Sequence, residues 1–170
     1  MMSLVTIAIF TVVTWACAVI QADEHHHLIS HGMMSAKVKR EWTIVRAFVL
    51  GALSLYTWCL GLVPWTSALA LFIGSWGAFS FIFRRNLNGL MKWDTHYLGS
   101  TSVYDVFFIR VALFLQEWRW ASGDAIRATH QAVYQHSGDY RKTVHLAEKI
   151  MSAIELGAAV LAAGITILSR

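Results

Sequence analysis

Charged residues and prolines are both scarce in this chain. Of its 170 residues only 14% are charged and only one is proline, whereas 56% are hydrophobic and the mean hydropathy is +0.50. Soluble globular domains carry about 25% charged residues, so this composition argues against a water-soluble fold. Because proline is rare and apolar residues abound, we predict an all-α, polytopic integral membrane protein.

Cysteine and the short motifs of common catalytic sites are also scarce. The two cysteines, Cys17 and Cys59, both lie inside apolar segments, which favours buried thiols over redox chemistry. The chain has no glycine-rich phosphate loop, no serine nucleophile elbow and no zinc-finger spacing. The net charge of +4 is spread out without a basic stripe, so we expect contact with anionic lipid and none with nucleic acid.

Four apolar segments have the length of a transmembrane helix. They cover residues 2–22, 43–63, 65–83 and 150–170. No Lys or Arg precedes Asp23, so we interpret the first segment as a retained span and not as a cleaved signal peptide. Since Pro64 cannot continue a helix, the second and third spans are predicted to form an antiparallel hairpin.

The distribution of charge divides the chain into three parts. Residues 1–83 are predicted to be a three-helix membrane segment, residues 84–149 a cytoplasmic or interfacial helical segment, and residues 150–170 the fourth span. Basic residues concentrate in 23–42 and 84–150. The positive-inside rule therefore places these two regions in the cytoplasm and both termini outside.

A further helix is predicted from Ser102 to about Trp120, and a polar helix from Ser122 to about Gly138. The apolar part of the first one is too short to cross a bilayer, so we expect it to lie in the interface or to pack under the bundle. The alternative is a fifth span, which would bury Arg110 in the membrane.

Small residues recur at every fourth position on two of the spans. On the third span and on the last span they are Ala70, Gly74, Ala78, Ala158 and Ala162. Such spacing lets helix backbones approach closely inside a membrane, and it predicts that these residues form helix-packing surfaces.

Glu155 is the one acidic residue inside an apolar segment. Carboxylates within a membrane are costly and often mark functional positions, which makes this side chain a candidate site residue. A position only a turn or so below the interface would instead let the carboxylate reach water, and both interpretations stay open.

The most polar stretch, residues 23–31, follows the first span and holds four of the eight histidines. If that helix continues, Asp23, Glu24, His27 and His31 share one face. Imidazole and carboxylate groups at these spacings suit zinc or iron. The remaining ligands would come from one of two other pairs, Asp94 with His96 or His145 with Glu148. The alternative is a solvated polar end of a membrane helix that binds no metal.

One segment resembles uncharacterised small multispanning membrane proteins of bacteria and their phages. The resemblance covers residues 87–105 and lacks the basic-Gly pair of the family pattern; its matching residues are Leu87, Asn88, Tyr97, Leu98, Gly99, Ser100, Thr101 and Asp105. It implies a location in a bacterial inner membrane or a phage-associated membrane, and it implies no activity.

Two functions are compatible with these features. The first is a non-enzymatic integral membrane protein that acts as a homo-oligomer or as a subunit of a membrane complex, with a structural, anchoring or pore-forming role. The second is a membrane-embedded, metal-dependent hydrolase or oxidoreductase that uses the His and carboxylate residues at the cytoplasmic face. The lipid bilayer is the expected partner in both.

Overall fold

The computed structural model describes residues 2–34, 36–93, 98, 103–117 and 138–169. These residues form helices and no strand, which confirms the prediction of an all-α fold for this part of the chain. The helices are α1 (Met2–Ser30), α2 (Ala36–Cys59), α3 (Trp65–Leu90), α4 (Val103–Glu117) and α5 (Gly138–Leu168). The polar helix predicted between residues 122 and 138 lies outside the described residues.

Four of the described helices are long and apolar enough to cross a membrane, as predicted. Their candidate spans are Leu4–Ser30, Glu41–Cys59, Trp65–Leu90 and Lys142–Leu168. Helix α4 has 15 residues, fewer than the roughly 20 that a membrane-spanning helix needs.

Two helices extend further than the predicted spans. Helix α1 continues through the polar stretch to Ser30, and α3 continues past Arg84 to Leu90, whereas the predicted spans end at residues 22 and 83. Apolar sequence marks where a bilayer would end, whereas polar residues with helical backbone hydrogen bonds prolong the helix beyond that point. The apolar run therefore underestimates the length of both helices.

The turn between α2 and α3 is tight, as predicted. Gly61 has a φ of +66°, and the N–H of Leu62 donates to the carbonyl oxygen of Thr57 over 3.0 Å. Only glycine adopts this left-handed conformation without strain, so α2 ends at Cys59, before the predicted limit of residue 63. Pro64 then precedes the first turn of α3.

The chain divides into two compact units, Met1–Lys92 with Ile154–Arg170, and Trp93–Ala153. The first unit contains α1, α2, α3 and the carboxy-terminal half of α5. Contacts from Arg46 to Phe79 and from Gly51 to Phe72 show that α2 and α3 are antiparallel.

The second unit has its own apolar core between α4 and the amino-terminal half of α5. The buried side chains are Leu98, Phe108, Ile109, Ala112, Leu113, Val144, Ala147 and Met151. Their helical spacing places one face of α4 on α5, and the Thr143 hydroxyl donates to Oε1 of Gln116 over 2.6 Å. Helix α4 therefore has a packing partner within this unit.

The core of the second unit can be tested with a conservative change. Ile109 is fully buried, so Ile109→Val should lower the free energy of unfolding by about 1 kcal/mol, because a methylene is lost and a small cavity remains. Ile154→Val is the matched control, since Ile154 is exposed, and it should change stability by less than about 0.5 kcal/mol. Equal effects in thermal unfolding of the purified protein would contradict the burial of Ile109.

Candidate functional site

The first unit exposes many large apolar side chains and buries several polar ones. Phe48 on α2, for example, is 75% exposed. Polar side chains face inward; Gln21 on α1 is only 3% exposed, and Thr14, Ser67 and Thr166 are buried as well. Water-soluble proteins bury polar groups far less readily. The arrangement suits an apolar solvent around the helices.

An ion pair joins α3 to α5 inside this unit. The Nη2 of Arg84 donates to Oε2 of Glu155 over 2.8 Å, and Nη1 donates to Oε1 over 3.2 Å. The two side chains are 9% and 1% exposed. A guanidinium and a carboxylate that meet through two parallel hydrogen bonds form one of the strongest polar contacts in proteins. This buried pair is the candidate functional site.

Two glycines of α3 position the carboxylate by letting α5 approach. A Cβ on Gly77 would stand 2.7 Å from the carbonyl oxygen of Glu155, and one on Gly74 would stand 2.5 Å from the Cβ of Ala162. Neither distance is compatible with a side chain at these positions. Because both positions lack a side chain, the backbone of α5 lies directly against α3.

The direction of the helices completes the geometry of the ion pair. Arg84 lies two turns beyond Gly77, about 10 Å along α3. Side chains of a helix lean toward its amino terminus, and α3 and α5 are antiparallel. The Arg84 side chain therefore leans back toward Gly77 while Glu155 leans toward the level of Arg84, and the two charged groups meet.

The structure shows the surroundings of Glu155. Its carboxylate is almost completely buried and bonded to Arg84, whereas its role as a functional position stays a prediction. Sequence reasoning missed Arg84, which directly follows the predicted third span at residues 65–83. It also missed Gly77, whose spacing of three from Gly74 on an apolar helix was the available signal.

The predicted packing residues lie on both sides of this contact. Gly74 lies against Ala162 and also within 3.1 Å of the Ala158 carbonyl oxygen, measured from an ideal Cβ. Ala70 and Ala78 on α3 are half-buried. The small residues of α3 and α5 thus meet where the ion pair is held.

A second polar group, Arg46 of α2, contacts three aromatic rings of α3. Its Cζ lies 4.1 Å from the ring centroid of Phe79, 5.0 Å from that of Trp76 and 6.0 Å from that of Phe83. The buried His25 of α1 contacts the same Phe83 ring at 5.0 Å, edge to face. Cations and polar ring edges are attracted to aromatic faces, so these contacts link α1, α2 and α3.

The predicted metal ligands of α1 are exposed at its carboxy-terminal end. This applies to Asp23, Glu24, His27 and His31. The rings of His27 and His31 lie 4.3 Å apart, and Nδ1 of His31 is 2.9 Å from the carbonyl oxygen of His27. His31 follows Ser30, the last residue of α1, so the shared helical face of the four residues stays a prediction.

Neither of the two other predicted ligand pairs lies among the described residues of the first unit. Asp94 and His96 lie outside the described residues, and His145 and Glu148 belong to the second unit. Glu148 is fully buried and accepts a hydrogen bond of 2.6 Å from the Ser152 hydroxyl. Within the described ranges, no group of three or more His, Cys, Asp or Glu side chains is placed to hold a metal ion.

Comparison of the chain with protein-family models, with curated proteins and with solved structures gives no match. The class of the protein is therefore defined by its fold: an all-helical chain with four described helices long and apolar enough to span a membrane. The resemblance of residues 87–105 to small membrane proteins of bacteria and phages stays a prediction.

Proposed function

We propose that the chain is a non-enzymatic integral membrane protein that crosses the bilayer with α1, α2, α3 and α5. It acts as a homo-oligomer or as a subunit of a membrane complex. The observation that carries the proposal is the exposed apolar surface of the first unit, where Phe48 and Val160 face outward while Gln21 and Glu155 are buried. Apolar surface on every spanning helix is stable in lipid and unstable in water.

The buried ion pair supports a structural or anchoring role. Arg84 and Glu155 neutralise each other between two spans, so the one acid of the apolar segments serves to hold helices together. The interior of the same unit is filled by side chains such as Phe10, Leu71 and Phe79. A pore would accordingly require several copies of the chain.

Membrane integration is tested by extracting cell membranes with alkaline carbonate. An integral protein stays in the membrane pellet, whereas a peripheral protein is released into the supernatant. We expect the full chain in the pellet, and release by carbonate would overturn the proposal.

The proposed orientation places the basic end of the first unit in the cytoplasm and both termini outside. The carboxy-terminal ends of α1 and α3 and the amino-terminal end of α2 meet there through His25, Trp42 and Phe83. Lys37, Lys39 and Arg40 belong to the same end of α2. The positive-inside rule supports this orientation, in a bacterial inner membrane or a phage-associated membrane.

Orientation can be measured by labelling single cysteines in intact cells, starting from a variant in which Cys17 and Cys59 are replaced by serine. Thr66 and Lys92 are both exposed, and they belong to opposite ends of α3. We expect a membrane-impermeant maleimide to label Thr66→Cys from outside and to label Lys92→Cys only after permeabilisation. The reverse pattern would invert the topology.

A metal-dependent hydrolase or oxidoreductase at the cytoplasmic face is the second candidate function. The observation in its favour is the adjacent pair of exposed rings, His27 and His31. Metal analysis of the purified protein tests it, because such an enzyme should retain zinc or iron and lose it in the His27→Ala/His31→Ala variant. Absence of bound metal from both proteins would rule this function out.

A further inference from the structure

The two arginines Arg46 and Arg84 of the first unit have different surroundings. Arg84 is bonded to the carboxylate of Glu155. Arg46 contacts only aromatic faces: within the described part of the chain it makes no ion pair and no hydrogen bond, and its Nε is buried without a partner. Among the described residues, therefore, one of the two cations has no counter-charge.

An unpaired cation in this position is costly if α2 crosses a membrane. Arg46 lies inside the candidate span Glu41–Cys59, and its side chain is half-buried. Charges in a membrane are generally paired or reach the polar headgroups. Aromatic rings attract a guanidinium, but they carry no net charge to neutralise it.

Arg46 lies close enough to the beginning of the candidate span in α2 to reach lipid phosphates. It is little more than one helical turn from Glu41, where the candidate span begins, a distance of about 7 Å. Its side chain leans toward the amino terminus of α2, which is the direction of the membrane boundary. Long basic side chains extend in this way to headgroups.

We propose that Arg46 binds the phosphate group of an anionic phospholipid, with Trp76, Phe79 and Phe83 holding the guanidinium in place. The proposal rests on the proposed function, because it requires α2 to lie in a bilayer. The planar guanidinium can donate two parallel hydrogen bonds to phosphate while its face stays on the Phe79 ring.

The surroundings of Arg46 favour a lipid over a soluble anion. The residues next to Arg46 in the sequence, Ile44, Val45 and Phe48, are exposed and apolar, so an anion bound at this level of α2 must tolerate an apolar helix surface. A phospholipid does so because its acyl chains can cover the same surface. The basic residues that precede the span favour an anionic headgroup.

Thermal unfolding of the purified protein in a neutral detergent tests the proposal. The unfolding midpoint is compared with and without each of three probes. Two are lipids added to the micelles, phosphatidylglycerol and phosphatidylcholine, and the third is inorganic phosphate. Phosphatidylglycerol should raise the midpoint of the unmodified protein by about 4 °C, and it should raise that of Arg46→Gln by less than about 1 °C.

Arg85→Gln is the matched control for a non-specific charge effect. It removes the same charge near the carboxy-terminal end of α3, where the Arg85 guanidinium lies over Phe81 at 5.4 Å. This variant should keep the full response to phosphatidylglycerol. Arg46→Lys, which keeps the charge but not the planar fork, should lose at least half of it. If Arg46→Gln unfolds too early for this measurement, the number of phosphatidylglycerol molecules retained by its folded fraction in native mass spectrometry replaces it.

Several outcomes would overturn the proposal. The first is that phosphatidylglycerol raises the unfolding midpoint of Arg46→Gln as much as that of the unmodified protein. The second is that phosphatidylcholine raises the midpoint of the unmodified protein as much as phosphatidylglycerol does. The third is that inorganic phosphate does so, which would assign the site to a soluble anion. A change of oligomeric state in Arg46→Gln with an unchanged lipid response would instead assign Arg46 to a carboxylate of another chain. Carbonate extraction of Arg46→Gln shows independently whether the chain is integrated in the membrane. A failure of the lipid-binding proposal can therefore be distinguished from a failure of the proposed function.

Discussion

Replacing Glu155 by leucine is expected to lower the free energy of unfolding by about 3–5 kcal/mol. The substitution leaves the Arg84 guanidinium inside the bundle without the carboxylate that accepts both of its Nη hydrogen bonds. Burying an unpaired charge is among the most destabilising changes available to a protein, and the shape of leucine adds little strain of its own. The measurement is unfolding of the purified protein in mixed micelles with increasing denaturing detergent.

The double variant Arg84→Met/Glu155→Leu distinguishes loss of a partner from loss of volume. Buried ion pairs can often be replaced by apolar residues of similar size at little cost, so the double variant should recover most of the lost stability. A double variant as unstable as the sum of the two single variants would show that the charges do not interact. In that case the ion pair would not hold α3 to α5.

Replacing Gly74 by leucine should have the second largest effect, a loss of about 3 kcal/mol. Even the first side-chain atom would stand 2.5 Å from the Cβ of Ala162, so α3 and α5 must separate. Gly157→Leu is the matched control, because nothing lies within 4 Å of a Cβ at Gly157. It should change stability by less than about 1 kcal/mol in the same detergent titration.

A paired substitution tests whether the contact is with Ala162 itself. Gly74→Ala should be destabilising, and Ala162→Gly should restore part of the loss by removing the atom that the new Cβ would meet. Recovery should be incomplete because the Ala158 carbonyl oxygen remains within 3.1 Å of that Cβ. No recovery at all would place the close contact elsewhere.

The class of fold and the number of membrane-length helices were predictable from the sequence, because hydropathy is a local property. Each apolar run reports directly on the solvent that a helix prefers, without reference to other helices. The ends of α1 and α3 were not predictable in the same way. Backbone hydrogen bonding continues past the last apolar residue, through His25 in one helix and through Arg84 in the other.

One residue of the candidate site, Glu155, was predictable from the sequence, and its partner Arg84 was not. Glu155 stood out as the one acid in an apolar segment, since a carboxylate there is costly whatever its partner is. Arg84 could not be chosen as that partner, because it is 71 residues distant and resembles any basic residue at the end of a span. Likewise, only the structure placed Arg46 on the Phe79 ring.

The sequence by itself determined which apolar segments suit a membrane-spanning helix and that one of them carries an acid. The tertiary structure alone decided which cation neutralises that acid and which is left with aromatic neighbours. The physical reason is that charge pairing in an apolar interior depends on the rotation and axial position of each helix. Those are determined by close contacts such as Gly74 with Ala162 and Gly77 with Glu155, which involve backbones distant in the chain.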